Sequence, residues 1–138
     1  MMALHPTVLH DLLDLEVEVA RARLRSRAGD LHRDANALVM TLVRPDGCWT
    51  LQLDGSGYDA DPFGLALIDD DGAVLPLERW IPGLAHSVHP VLHVPWACIS
   101  GTSAYYRYPG HHLDRWDTVR FQLRADSLLD TVRRRVGL

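Results

Sequence analysis

The spacing of apolar residues predicts a helix near the start of the chain. Between residues 7 and 28, apolar side chains recur every three or four positions, which is the period of an amphipathic helix. The recurring positions are Val8, Leu12, Leu15, Val19 and Ala22. Thr7 is the expected N-cap and Gly29 the expected stop signal, so we expect this helix to bury the apolar row against a core.

Four stretches with strand-like patterns follow the first helix. They cover residues 37–44, 48–54, 63–68 and 73–80. In the second stretch, Trp49, Leu51 and Leu53 alternate onto one face. Because strands joined by short turns of Pro, Asp and Gly pair antiparallel, the pattern predicts a four-stranded antiparallel meander.

Residues 81–115 show no regular period and are interrupted by proline and glycine. Long irregular segments in small domains usually carry function, and this one contains five histidines and Cys98. A helical period returns at residues 117–136, with an apolar row of Phe121, Ala125, Leu128, Leu129, Val132 and Val136. The order of helix, meander, irregular Cys-bearing segment and C-terminal helix predicts one α+β domain over residues 1–138.

Composition narrows the function classes. At 138 residues, of which 47% are hydrophobic, the chain has the length and apolar content of one folded domain. Its net charge of −4 gives no basic excess, so nucleic acid is not an expected partner, and no apolar run approaches the roughly 20 residues of a membrane span. Two cysteines without an export signal predict a cytoplasmic protein with free thiols. No phosphate-binding glycine loop is present, so no cofactor is expected.

Cys98 is the candidate reactive residue. It lies between Pro95 and Gly101 on the irregular segment, close in sequence to several histidines, where a reactive thiol needs exposure and nearby donors or positive charge. The alternative is a cysteine buried under the loop as a small apolar residue. Cys48, beside Trp49 at the start of a strand, is expected to serve packing.

A metal site is a competing interpretation of the same segment. Its candidate ligands are His86, His89, His93, Cys98, His111 and His112. The first three are spaced three and four residues apart, but Pro90 and Pro95 argue against a helix that would align them. No close pair of cysteines of the kind found in zinc sites is present.

The chain resembles the ubiquitin-conjugating enzymes. In that family an N-terminal helix precedes a four-stranded meander, a His-Pro-Asn motif, the catalytic cysteine, a Trp-containing loop and a further helix. The pair His89-Pro90 precedes Cys98 by nine and eight residues, and Trp49 and Trp116 fit the pattern. The run YYRYPGHHLDRW, ending at Trp116, is similar to a stretch in bacterial relatives found beside ubiquitin-like and activating-enzyme-like proteins, which implies a role in antiviral defence.

The resemblance implies that Cys98 accepts a ubiquitin-like protein as a thioester from an activating enzyme and transfers it to an amine. His89 and Pro90, with Trp116, would be structural. Val91 stands where the family has Asn, so the usual side-chain donor to the tetrahedral oxyanion is missing.

The remaining implied roles fall on polar residues around the cysteine and on the first helix. His93, His111 or His112 would replace the missing oxyanion donor. Asp114, or Asp117, would orient or deprotonate the incoming amine. Arg21 and Arg25, on the arginine-rich end of the first helix, would dock the activating enzyme. Two alternatives remain open: a non-catalytic binding module of the same fold, and a small His/Cys metal-binding protein.

Overall fold

The first helix, α1, spans Pro6–Leu24 in the computed structural model, which describes residues 4–138. A 3₁₀ turn over Arg25–Ala28 continues it to Gly29, whose positive φ of 61° ends the helical segment. The N-cap is His5 and not the predicted Thr7, because Pro6 already occupies a helical position and the Nδ1 atom of His5 accepts the N–H of Thr7 at 3.2 Å. No helix within residues 4–138 is long and apolar enough to cross a membrane.

Four strands form one antiparallel sheet, which confirms the predicted meander. They are β1 (His32–Asp34), β2 (Ala37–Arg44), β3 (Gly47–Asp54) and β4 (Gly64–Ile68), in the spatial order β1-β2-β3-β4. The register pairs Met40 with Leu51, and both side chains are fully buried. The sheet therefore presents one apolar face to the core beneath α1.

The fourth predicted strand, residues 73–80, is wrong. Only Val74 makes a bridge, to Ile68, and Leu77–Arg79 forms a 3₁₀ turn. Pro76 has no N–H to give to a sheet, and the indole of Trp80 donates to the carbonyl of Leu75 at 2.8 Å, which folds the segment on itself. The sheet takes its fourth strand from β1, a polar three-residue segment with no alternation that the pattern could detect.

The segment predicted as irregular contains short regular elements. β5 (Ser87–Val88) pairs with β6 (Pro95–Trp96) as a small hairpin, and α2 spans Ser103–Arg107, followed by a 3₁₀ turn over Pro109–His111. These elements are too short to produce a detectable period in the sequence.

The C-terminal helix is broken, contrary to the continuous helix predicted over residues 117–136. α3 spans Trp116–Val119 and α4 spans Ala125–Arg135. The break occurs because Arg124 has an extended backbone and its guanidinium donates to Asp59 at 2.9 Å. The four core-facing α4 positions of the predicted row are buried, but Phe121 lies in the break and is 75% exposed.

α1 buries a different row from the one predicted. Its core-facing apolar residues are Leu9, Leu13, Val17, Ala20 and Leu24. The predicted row is largely at the surface: Val8 is 51% exposed, Leu15 52% and Val19 44%. The helix carries two adjacent apolar rows. The buried row, which the sheet and α4 cover, contains the charged residue Glu16, so the sequence pattern does not mark it as the buried face.

A buried polar cluster joins α1 to the start of α4. The carboxylate of Glu16, which is 6% exposed, accepts the hydroxyl of Tyr58 at 2.8 Å and the N–H of Ala125 at 3.3 Å. The Nε atom of Arg124 lies 3.3 Å from the same oxygen. Burial, followed by the charge of Glu16, raises the pKa of Tyr58 well above its usual range. Glu16 therefore fixes the N-terminal end of α4, which has no side-chain cap of its own.

Candidate functional site

Cys98 lies on a tight turn just after β6. The N–H of Ile99 donates to the carbonyl of Ala97 at 2.9 Å, which closes a three-residue turn centred on the cysteine. Ala97 and Ile99 are buried in the core, whereas Cys98 is exposed and carries a free thiol. Arg135 of α4 donates to the carbonyl of Cys98 at 2.6 Å. The turn thus presents the thiol to solvent and is anchored on both sides.

Tyr105 and Asp114 form a polar pair beside this turn. The Tyr105 hydroxyl donates to the Asp114 carboxylate at 2.8 Å, and the Tyr105 ring stacks on His111 with centroids 3.9 Å apart. The hydrogen bond to Asp114 is the main cause that raises the pKa of Tyr105, and the charge of Cys98 also contributes. Ser100, two residues after Cys98, lines the same cavity as Tyr105 and Asp114, which places the pair beside the Cys98 turn.

His111 is fixed by the same pair. Its Nδ1 atom lies 2.9 Å from the carbonyl of Tyr105, which only accepts, so Nδ1 carries the proton in this contact. Its Nε2 atom makes no hydrogen bond within residues 4–138. One ring nitrogen of His111 is thus without a hydrogen-bond partner in the described part of the chain.

Two cavities lie on either side of Tyr106 and Arg115. The smaller, about 260 Å³, is lined by Ser100, Tyr105 and Asp114 among others. The larger, about 560 Å³, is lined by charged residues of both signs together with Trp116; its charged residues are Asp61, Arg107, Arg115 and Asp117. Tyr106 and Arg115 border both cavities, so the two are adjacent, and Ser100 places the smaller one next to the chain just after Cys98.

His89 holds the β5–β6 hairpin against α2. It is fully buried, its Nδ1 atom accepts the N–H groups of Val91 (3.1 Å) and Leu92 (3.0 Å), and its Nε2 atom donates to the carbonyl of Ala104 at 2.8 Å. Pro90 lies within the hairpin turn that these bonds stabilise. Both ring nitrogens are in use, so His89 serves the loop and not proton transfer.

Trp116 is also part of the framework. It is buried, and its indole N–H donates to the carbonyl of Asp59 at 3.0 Å while its ring borders the larger cavity. The contact joins α3 to the loop before β4.

The other predicted catalytic histidines are at the surface. His93 is exposed at the end of the hairpin turn with φ of 59°, and His112 is exposed with Nδ1 3.2 Å from the carbonyl of Pro109. Val91 is 44% exposed on the same hairpin as His93. The structure brings Cys98 near Tyr105, and through it Asp114 and His111, but it gives His93 and His112 no hydrogen bond to this group within residues 4–138.

The metal interpretation finds no ligand set. Among residues 4–138, no group of three or more His, Cys, Asp or Glu side chains is arranged to hold a metal ion. His89 belongs to the predicted ligand set, but both of its ring nitrogens are hydrogen-bonded to backbone groups. Neither nitrogen is therefore free to bind a metal ion.

The arginines at the end of α1 are mostly used inside the fold. Arg21 donates from Nε to the carbonyl of Leu31 at 3.0 Å, with a second bond from its terminal nitrogen. Arg23 pairs with Asp126 at 2.9 Å, whereas Arg25 is exposed. At the predicted docking surface, the Arg21 guanidinium is thus hydrogen-bonded to the carbonyl of Leu31, and Arg25 is exposed.

Cys48 is exposed, so the expectation that it serves packing is wrong. Its neighbour Trp49 provides the packing, with its indole N–H bonded to the carbonyl of Arg79 at 2.9 Å.

Tyr105 and Tyr106 are the site residues that the sequence did not identify. Tyr106 accepts the N–H of Gly101 at 3.1 Å, so it supports the chain just after Cys98. The only signal in the sequence is the aromatic run before His111. No protein-family model matches this chain, and no curated protein matches it in sequence.

Proposed function

We propose that this chain is a ubiquitin-conjugating-enzyme-like acyl carrier, which accepts a ubiquitin-like protein as a thioester on Cys98 and transfers it to an amine. The observation that carries the proposal is an exposed thiol on an anchored turn, beside the Tyr105–Asp114 pair. The order of helix, antiparallel meander, Cys-bearing segment and C-terminal helix agrees with it.

Loading is an exchange between two sulfur atoms. The Cys98 thiolate attacks the carbonyl of the activating enzyme's thioester, a new C–S bond forms, and the activating enzyme's thiolate leaves. The two thioesters are nearly equal in energy, so the protein must mainly position the reactants and stabilise the oxyanion. The backbone N–H groups of Cys98 and Ser100 make no hydrogen bond within residues 4–138, and they are the donors we assign in place of the absent Asn.

Discharge requires an amine that has lost its proton. The amine nitrogen attacks the thioester carbonyl, a C–N bond forms, the C–S bond breaks, and the nitrogen gives up a proton. Asp114 lines the smaller cavity and accepts the Tyr105 hydroxyl, so it is the group we assign to orient the amine. His111, with its unbonded Nε2 atom, is the assigned proton acceptor.

The test is loading of the purified chain with a cognate activating enzyme, ATP and a ubiquitin-like protein. We expect an adduct that a reducing thiol removes, that is lost in Cys98→Ala, and that remains in Cys48→Ser. Cys48 is the matched control because it is the other free, exposed cysteine of the chain. An adduct that forms on Cys48, or none on the wild type while the activating enzyme itself is charged, would contradict the proposal.

A second candidate is a binding module of this fold that does not carry cargo. It is favoured by Val91, whose exposed side chain offers no hydrogen-bond donor where the family has an amide. This candidate predicts that the wild type and Cys98→Ala bind the ubiquitin-like protein equally well and that neither forms an adduct.

A further inference from the structure

The larger cavity, about 560 Å³, takes no part in the chemistry proposed for Cys98. It shares Tyr106 and Arg115 with the smaller cavity, but Tyr105 and Asp114 do not line it. Its volume lies within the range of roughly 300–1,000 Å³ that is usual for small-molecule sites. The cavity is therefore large enough for a small organic ligand of its own.

The charges that line this cavity are balanced in sign and unpaired. They belong to Asp61, Arg107, Arg115 and Asp117. All four residues are exposed, and their side chains make no ion pair or hydrogen bond within residues 4–138. Because two carboxylates and two guanidiniums border one cavity without pairing, its wall can meet a positive and a negative group of the same ligand.

The charged groups next to the cavity are already paired. Asp59, which precedes the lining residue Ala60, lies 2.9 Å from Arg124 and 3.8 Å from Arg120. Asp114, which precedes Arg115, accepts the Tyr105 hydroxyl at 2.8 Å. Neither carboxylate therefore disturbs the balance of charge on the cavity wall.

Two aromatic rings on the wall are held in place. The indole N–H of Trp116 donates to the carbonyl of Asp59 at 3.0 Å, and the Tyr106 hydroxyl accepts the N–H of Gly101 at 3.1 Å. The centroids of the two rings are 6.1 Å apart. Fixed rings offer an apolar surface, and the face of a ring also attracts an ammonium group. A ligand of this cavity is therefore expected to carry an apolar group beside its charges.

The balance of charge selects the class of ligand. A phosphate or another anion would meet the two carboxylates, and a polyamine would meet the two guanidiniums, so each would face repulsion from half of the charged wall. A zwitterion can place its carboxylate on a guanidinium and its ammonium group on a carboxylate, and both contacts are then charge-assisted hydrogen bonds.

We propose that this cavity binds a zwitterionic amino acid with an apolar side chain. The two guanidiniums hold its carboxylate, and the two carboxylates hold its ammonium group. Its side chain lies against the two aromatic rings. The site goes beyond the acyl-carrier proposal and does not use Cys98, so one can fail without the other.

The test compares three probes that share one side chain: phenylalanine, N-acetylphenylalanine without the ammonium group, and phenylalaninamide without the carboxylate. We expect phenylalanine to bind at least tenfold more tightly than either analogue, measured by NMR titration, and to shift the indole N–H signal of Trp116. Arg107→Gln/Arg115→Gln should weaken binding of phenylalanine at least tenfold but not that of phenylalaninamide. Asp61→Asn/Asp117→Asn should weaken binding of phenylalanine at least tenfold but not that of N-acetylphenylalanine.

The control variant is Arg25→Gln/Asp70→Asn, which removes two exposed charges that do not line the cavity, and it should leave binding unchanged. Cys98→Ala should also bind phenylalanine as the wild type does, which separates this site from the thioester chemistry. Circular dichroism checks that each variant is folded, which is expected because the replaced side chains are at the surface. Equal binding of the three probes would overturn the proposal. So would a lack of saturable binding of phenylalanine up to its solubility limit, or binding that neither cavity variant weakens.

Discussion

Glu16 is the buried charge whose removal we expect to be most costly for the fold. In Glu16→Ala, the Tyr58 hydroxyl and the Ala125 N–H lose their acceptor, and each unsatisfied buried donor costs about 1–3 kcal/mol. Arg124 keeps its bond to Asp59, so its charge is not left unpaired. We therefore expect a loss of about 3 kcal/mol in the free energy of unfolding, near the lower end of the range for broken buried pairs.

The assay is urea unfolding followed by tryptophan fluorescence, because Trp116 lies close to the cluster, with a ring centroid 6.4 Å from that of Tyr58. Glu16→Gln keeps an acceptor oxygen and should lose about half as much. Glu18→Ala, on the exposed side of the same helix, is the control and should change stability by less than about 0.5 kcal/mol. If Glu16→Ala costs no more than Glu18→Ala, Glu16 does not hold the N-terminus of α4.

Three further predictions concern the pH dependence, the hairpin and the turn after Cys98. Because the pKa of Tyr58 is raised in the folded state, the fold favours its neutral form; this stabilisation is complete below a pH of about 10 and falls as the pH rises beyond it. Tyr58→Phe should thus lower stability at neutral pH yet flatten its alkaline decline, and unfolding midpoints below and above that pH test this. His89→Ala removes three hydrogen bonds to backbone groups and should cost about 2–3 kcal/mol in the same unfolding assay. His112→Ala, at the surface, should change stability little, and equal losses in the two variants would contradict the role of His89 in holding the hairpin. Gly101→Ala should lower the free energy of unfolding by about 2–3 kcal/mol, because φ is 99° and the added Cβ would lie 2.9 Å from a methyl carbon of Leu128. Gly72→Ala, at φ of 82° with open space around it, should cost only the backbone strain of about 1 kcal/mol.

The fold class could be predicted because its signals are local. β2 and β3 alternate or run apolar between turn residues, and their predicted bounds lie within one residue of the observed ones. α4 was also recognisable from its single apolar row, although its start depends on Arg124 and Asp59, which are 65 residues apart. Periodicity cannot report a contact of that range.

The face that α1 buries could not be chosen from its sequence. Two rows fit the helical period: the exposed row is free of charge, whereas the buried row contains Glu16. The buried row is favoured only once Tyr58 and the N-terminus of α4 supply partners for that carboxylate.

The candidate site shows the same limit. Cys98 and Asp114 could be selected because thiols and carboxylates have recognisable chemistry. Tyr105 could not, since its place depends on stacking with His111 and on a loop that folds back nine residues to Asp114.

The anchor of the Cys98 turn comes from a part of the chain that is synthesised later than the turn itself. Its carbonyl is held by Arg135, which the ribosome adds 37 residues later. The cysteine therefore emerges before its anchor exists, and Arg135 can hold the turn only once α4 has folded.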